Sequence, residues 1–181
     1  LDCVSKRAVR PVEVEDTDPG FEYGESHVFD VSGMEPQLAC PHSVDNVDTL
    51  AHVTANREIK LNQGYIGSCT GGREEDIAVA GRIVKGRHIP PYSRLVVVPA
   101  SSEVMLSCME KGYIQDLMNA GATITTPGCG ACLGAHEGII APGETCISST
   151  NRNFPGRMGS NQASIYLASP ATVAAKIGRA S

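Results

Sequence analysis

Tyr65-Ile66-Gly67-Ser68-Cys69-Thr70-Gly71-Gly72, then Glu74-Glu75-Asp76-Ile77 onward to Val84, then Leu95-Val96-Val97-Val98: these residues run as strand, glycine-rich loop, helix and second strand. The helix carries three acids in its first turn, and Gly86 stops it, as the helix dipole and C-cap rules favour. Ile77, Ala80, Ile83 and Val84 recur at helical spacing and mark its buried face. The run Leu95–Val98 has no polar alternation, which is how a strand covered on both faces of a parallel sheet reads.

The same grammar continues outward. Ser101 or Ser102 caps a helix through Lys111, and Gly112 ends it; Ile114 to Asn119 forms another, ended by Gly121. Thr123-Ile124-Thr125 is a strand, and the Pro142-Gly143 turn leads to a strand over Thr145 to Ser148. Ile165-Tyr166-Leu167 is the last strand, followed by a helix with Ser169 as N-cap, Pro170 at its first position and Gly178 at its end. Strands alternating with helices predict an α/β fold: a three-layer αβα arrangement around a mostly parallel sheet.

Residues 1–60 have a different texture. Glu13, Glu15, Asp16, Asp18, Glu22 and Glu25 make the start acidic, Asp18-Pro19-Gly20 is a turn signal, and 42–60 has no strong period. The reading is an irregular N-terminal arm or linker over 1–60, with short strands near Val12–Val14 and Val28–Val31. The α/β domain then occupies 61–181. The chain opens on Leu1, as expected of a processed product or a piece of something longer.

Composition narrows the function classes. A net charge of −5 is the opposite of the basic stripe that binds nucleic acid. No apolar run approaches the roughly 20 residues of a membrane span. A soluble, cytoplasmic protein without membrane or nucleic-acid partners is the expectation. The 7 cysteines cannot all pair within the chain, and no secretory signal is read, so a disulfide framework is not expected.

Three loops stand out, each directly after a strand. The first holds Cys69. The second reads Pro127-Gly128-Cys129-Gly130-Ala131-Cys132-Leu133-Gly134, and the third Ser149-Thr150-Asn151-Arg152-Asn153-Phe154-Pro155-Gly156-Arg157. In open α/β sheets ligands bind outside the carboxyl ends of the strands, so these loops can share one edge. Cys129 and Cys132 have a spacing that lets two thiolates reach one metal or cluster. With Cys69 they make three ligands, one short of a full set for a four-iron cluster. The spacing also suits half a zinc site, with His136 or Cys146 as fourth ligand, or a redox pair, although no helix clearly begins within the motif. Cys3, Cys40, Cys108 and Cys146 read as structural thiols, and His42 as a structural residue. Arg152 and Arg157 can each fork onto a carboxylate, and Asn153 reads as a turn former.

These motifs, taken in order, resemble the aconitase superfamily, within it the large subunits of 3-isopropylmalate dehydratase and homoaconitase. The likeness runs from about residue 28 to 181 and includes Ile66–Thr70, Cys129–Gly134, Ser149–Ser160 and Tyr166–Ala171. It implies a [4Fe–4S] cluster on Cys69, Cys129 and Cys132, with Arg152, Arg157 and Asn151 binding substrate. The implied reaction is dehydration and rehydration of a 2-hydroxy di- or tricarboxylic acid, with 3-isopropylmalate first and homoaconitate, citrate or a substituted malate as alternatives. It also implies partners: the remaining large-subunit domains and a small subunit carrying the swivelling domain. No catalytic acid or base is assigned within this chain. Gly71 stands where the family commonly has Asn, and Ala131 where it often has Pro; both spare the cysteines. A non-catalytic module holding zinc or iron is the reading from another class, and it leaves the two arginines without a task.

Overall fold

The computed structural model describes residues 2–13, 15–56 and 58–178. Two compact units appear, 1–34 and 35–181. In the first, a short helix α1 (Asp2–Ser5) is followed by turns and irregular chain. Its described residues form no strand, so the short strands expected near Val12 and Val28–Val31 are absent there. Those residues have exposed backbones and no partner strand to complete a ladder. Val14 and the Cys3 side chain lie outside what is described.

The second unit is built on a seven-stranded sheet. Its strands are β1 (Gln37–Ala39), β2 (Val47–Thr49), β3 (Gln63–Gly67), β4 (Arg94–Val98), β5 (Thr123–Ile124), β6 (Thr145–Ser148) and β7 (Ser164–Leu167). The order across the sheet is β2-β1-β7-β6-β3-β4-β5. The ladders β7-β6, β6-β3, β3-β4 and β4-β5 are parallel, while β1 pairs antiparallel with both β2 and β7. The α/β class with a mostly parallel sheet is therefore observed. Residues 37–56, read from sequence as part of the arm, contribute the β1–β2 hairpin and helix α2 (Leu50–Asn56) to this unit. Their strands span only three residues each, too short for alternation to register in the sequence.

The remaining helices are α3 (Ser68–Gly71), α4 (Glu74–Val84), α5 (Ser102–Glu110), α6 (Tyr113–Asn119) and α7 (Pro170–Ile177). Ser101 and Ser169 cap α5 and α7 by accepting the N–H of Val104 and Thr172, as their positions predict. One face of the sheet packs on helices: Ile66, Leu95, Val97, Ile147 and Tyr166 meet Ile77 and Val84 of α4, Leu117 of α6 and Val173 and Ile177 of α7. The other face, with Tyr65, Val96, Val98, Cys146 and Ile165, is covered by connecting segments through Ala131, Ile140, Met158 and Ala163.

Crossover handedness accounts for this split. The chain steps from β3 to β4 to β5 in one direction, then returns to β6 and β7 on the other side of β3. Right-handed crossovers stepping in opposite directions run over opposite faces. Leaving β3 the chain turns to one face, and leaving β6 it turns to the other. A crevice therefore opens between the carboxyl ends of β3 and β6, the switch point at which such sheets bind ligands.

Candidate active site

The first thiol loop is formed where β3 ends. Gly67 leads into α3, and Ser68 adopts a left-handed backbone with φ 64°, although it carries a side chain. Ser68 is buried and its hydroxyl has no hydrogen-bond partner. Cys69 follows and is exposed. Ser149, one residue past β6, pins this turn: its hydroxyl accepts the N–H of Gly67 at 3.1 Å and donates to the Gly71 carbonyl at 3.2 Å. A Cβ at Gly71 would collide with the Ser149 hydroxyl and carbonyl, so this chain's departure to glycine matches the close approach of the two loops.

The second thiol loop leaves β5 and swings back over the crevice. The Gly128 N–H donates to the Pro99 carbonyl beyond β4 at 3.2 Å. Gly130 to Leu133 form a single turn of 3₁₀ helix, too short to match the helix of a thioredoxin-type motif. Gly130 (φ 52°) lies so close to β3 and β4 that an added Cβ would sit 2.6 Å from the Tyr65 hydroxyl and 2.9 Å from Val98. The Tyr65 hydroxyl donates to the Cys129 carbonyl at 2.7 Å. Burial first, then the neighbouring thiols, hold this phenol protonated far above the ordinary range. Cys129 is exposed and Cys132 buried.

The third loop closes the arrangement. Arg157 Nη2 donates to Cys132 Sγ at 3.5 Å, while its guanidinium stacks 5.7 Å from the Phe154 ring centroid. Arg157 Nε is buried without an acceptor. Gly134 packs against the Gly156 and Arg157 carbonyls, so the second and third loops touch along their backbones. Asn151 and Arg152 are exposed on the same loop, and Arg152 Nη1 donates to the Asn151 carbonyl at 3.1 Å.

The three loops thus meet at one crevice, and Cys132 and Arg157 are in contact. Asn151 and Arg152 have no contact with the thiols among the described interactions. Among the described residues, no group of three His, Cys, Asp or Glu side chains is placed to hold a metal ion. His136, an expected alternative ligand, is exposed at φ 73°. Cys146, the other, is fully buried in β6, where burial drives its thiol upward. Cys108 is the buried residue of α5, with burial as the main cause pushing its thiol up to about 11. Cys69, Cys108, Cys129, Cys132 and Cys146 carry free thiols.

Two residues escaped the sequence reading. Tyr65 looks like an ordinary core aromatic, and only its hydroxyl's partner sets it apart. Asn153 reads as a turn former, but its side chain is buried and reaches across the fold. Its Nδ2 donates to the Cys40 carbonyl at 2.8 Å and lies 3.3–3.4 Å from the carbonyls of Ala39, Ser43 and Ile165. The arginine loop is thereby latched to the β1–β2 hairpin. No local signal marks a contact to residues more than a hundred positions away in sequence.

An apolar hollow of about 220 Å³ between Leu38, Leu50, Ile59, Ile147 and Tyr166 lies on the helical face, away from the thiol loops. Among the described residues no helix is long and apolar enough to cross a membrane.

The model of the aconitase family (aconitate hydratase) matches residues 4–177. The chain is 46% identical over 174 residues to a probable methanogen homoaconitase large subunit of Methanothermobacter thermautotrophicus, covering 96% of this chain and 40% of that protein. It is 45% identical over 175 residues to the 3-isopropylmalate dehydratase large subunit of a Hydrogenobaculum species, covering 97% and 41%. The homoaconitase large subunit of Thermus thermophilus is 48% identical over 158 residues, covering 87% and 37%. The chain thus spans about two fifths of the length of these relatives. With its thiol and arginine loops gathered at one sheet edge, the chain belongs to the aconitase family.

Proposed function

We propose that this chain is the cluster-bearing part of a hydro-lyase large subunit, acting on a 2-hydroxy di- or tricarboxylic acid, with 3-isopropylmalate as first substrate. The observation that carries this reading is the meeting of the Cys69, Cys129–Cys132 and Arg157 loops at the β3–β6 crevice. A homoaconitase reading stands beside it, because relatives with that name are as similar to the chain as the 3-isopropylmalate dehydratases.

A [4Fe–4S] cluster suits the donor chemistry. Cys69, Cys129 and Cys132 would supply three soft thiolates, one to each of three irons, so they need not converge on one point as zinc ligands must. Two unsatisfied buried groups flank them, the Ser68 hydroxyl and Arg157 Nε. Both are donors, and a buried donor left without an acceptor costs roughly 1–3 kcal/mol. When bound, the cluster would supply a Lewis-acidic iron without a protein ligand, which polarises a substrate hydroxyl.

The chain's own residues then do three things. Arg152 and Arg157 hold substrate carboxylates through fork-shaped donors, which places the carbon skeleton against the crevice. Asn151, exposed on the same loop, offers a neutral amide next to them. The Arg157 guanidinium, already on the Cys132 sulfur, offsets the negative charge that thiolates and carboxylates bring together. The proton donor and acceptor would come from the remaining large-subunit domains and from a small subunit. Holding a cluster without turning over is the outcome expected of this chain alone; hydratase activity from it would refute that division of labour.

Anaerobic reconstitution with iron and sulfide tests the reading. Wild type should turn brown and carry about four irons, and Cys69→Ser, Cys129→Ser and Cys132→Ser should each lose most of that colour. A colourless protein that takes up zinc, or three variants that behave like wild type, would leave the structural-module reading in its place.

A further inference from the structure

Tyr65 is fully buried on β3, beneath the second thiol loop. Its hydroxyl reaches the Cys129 carbonyl at 2.7 Å, and the Cys132 N–H donates to that same carbonyl at 3.1 Å. One oxygen thus gathers both ends of the Cys-x-x-Cys turn, and the phenol is the group that ties it to the sheet. Gly130 lacks a side chain where one would strike this hydroxyl, so the turn is seated directly on the ring. Val98 and Ala131 complete the seat in the same buried cluster. A phenylalanine would fill the same volume without the bond, so packing alone does not account for the hydroxyl.

We infer that Tyr65 is a positioning residue for the metal site: its hydroxyl anchors the Cys129–Cys132 turn to β3 and so sets how Cys129 is presented. The inference rests on the proposed ligand role of Cys129, but its first test does not. Losing a hydrogen bond of this kind shifts a local opening equilibrium by about fivefold.

The experiment compares wild type with Tyr65→Phe. In the cluster-free chain, iodoacetamide alkylation of the buried Cys132 and amide hydrogen exchange over 128–134 should each speed up about fivefold. Alkylation of Cys69, on the other loop, should stay unchanged. After reconstitution, the variant should release iron to a chelator several-fold faster than wild type. Equal Cys132 alkylation and exchange in the two proteins would overturn the inference. So would a parallel rise at Cys69, since that would report general loosening. If wild type takes up no iron and sulfide, the cluster reading fails, while the alkylation and exchange arms still decide the role of Tyr65.

Discussion

Replacing Asn153 by alanine tests whether one buried amide holds the arginine loop in place. The side chain is 1% exposed and its Nδ2 has two protons for four carbonyls, with Cys40 at 2.8 Å the best placed. Truncation removes up to two hydrogen bonds at about 1 kcal/mol each, and the small cavity adds about 1 kcal/mol. Against this, Asn153 Oδ1 is buried without a donor, and its removal returns part of that cost. The expected loss is therefore about 2–3 kcal/mol, which lowers the melting midpoint by roughly 5–10 °C for a domain of this size. Urea denaturation followed by circular dichroism measures the first quantity and calorimetry the second. Hydrogen exchange over 150–158 should rise more than exchange in β3 or β4, because the latch acts on one loop. A loss under about 0.5 kcal/mol, the range of ordinary surface changes, would refute the latch, as would exchange rising equally across the sheet.

Two further outcomes follow from the charged and thiol groups. Arg94 forks onto Glu144 at 2.8 and 2.5 Å and holds its carboxyl well below the usual range, at about 2. Because the folded value is depressed, the contribution is present above the ordinary value near 4.5 and is lost as pH falls toward 2. Arg94 remains partly exposed, so the effect is about 1 kcal/mol, and Glu144→Gln should flatten that part of a stability–pH curve. Cys108, buried and pushed up to about 11, should resist alkylation at pH 8 in the folded chain and react once urea unfolds it; the exposed Cys69 should react in both conditions.

Local chemistry made the elements of residues 61–178 readable from sequence. Acids at the start of α4, serine caps on α5 and α7, and glycines at the helix ends act over a few residues, so they survive in a linear text. The apolar run of β4 is equally local, because a strand covered on both faces has no polar side to show. The three loops were legible for the same reason: cysteine, glycine and arginine at short spacing announce soft ligands and anion donors.

What the sequence did not contain is which strands are neighbours. The β1–β2 hairpin was lost in the arm because three-residue strands have no period. Only the order β7-β6-β3-β4 makes β3 and β6 adjacent, and only their opposite turnings open the crevice. The contacts from Tyr65 to Cys129, Arg157 to Cys132, Ser149 to Gly71 and Asn153 to Cys40 span 64, 25, 78 and 113 positions. Each is a single hydrogen bond whose partners become neighbours only when the sheet assembles. The sequence by itself determined the types of group available to the site; the tertiary structure decided which of them meet, because hydrogen-bond reach is a few ångströms in space and carries no trace along the chain.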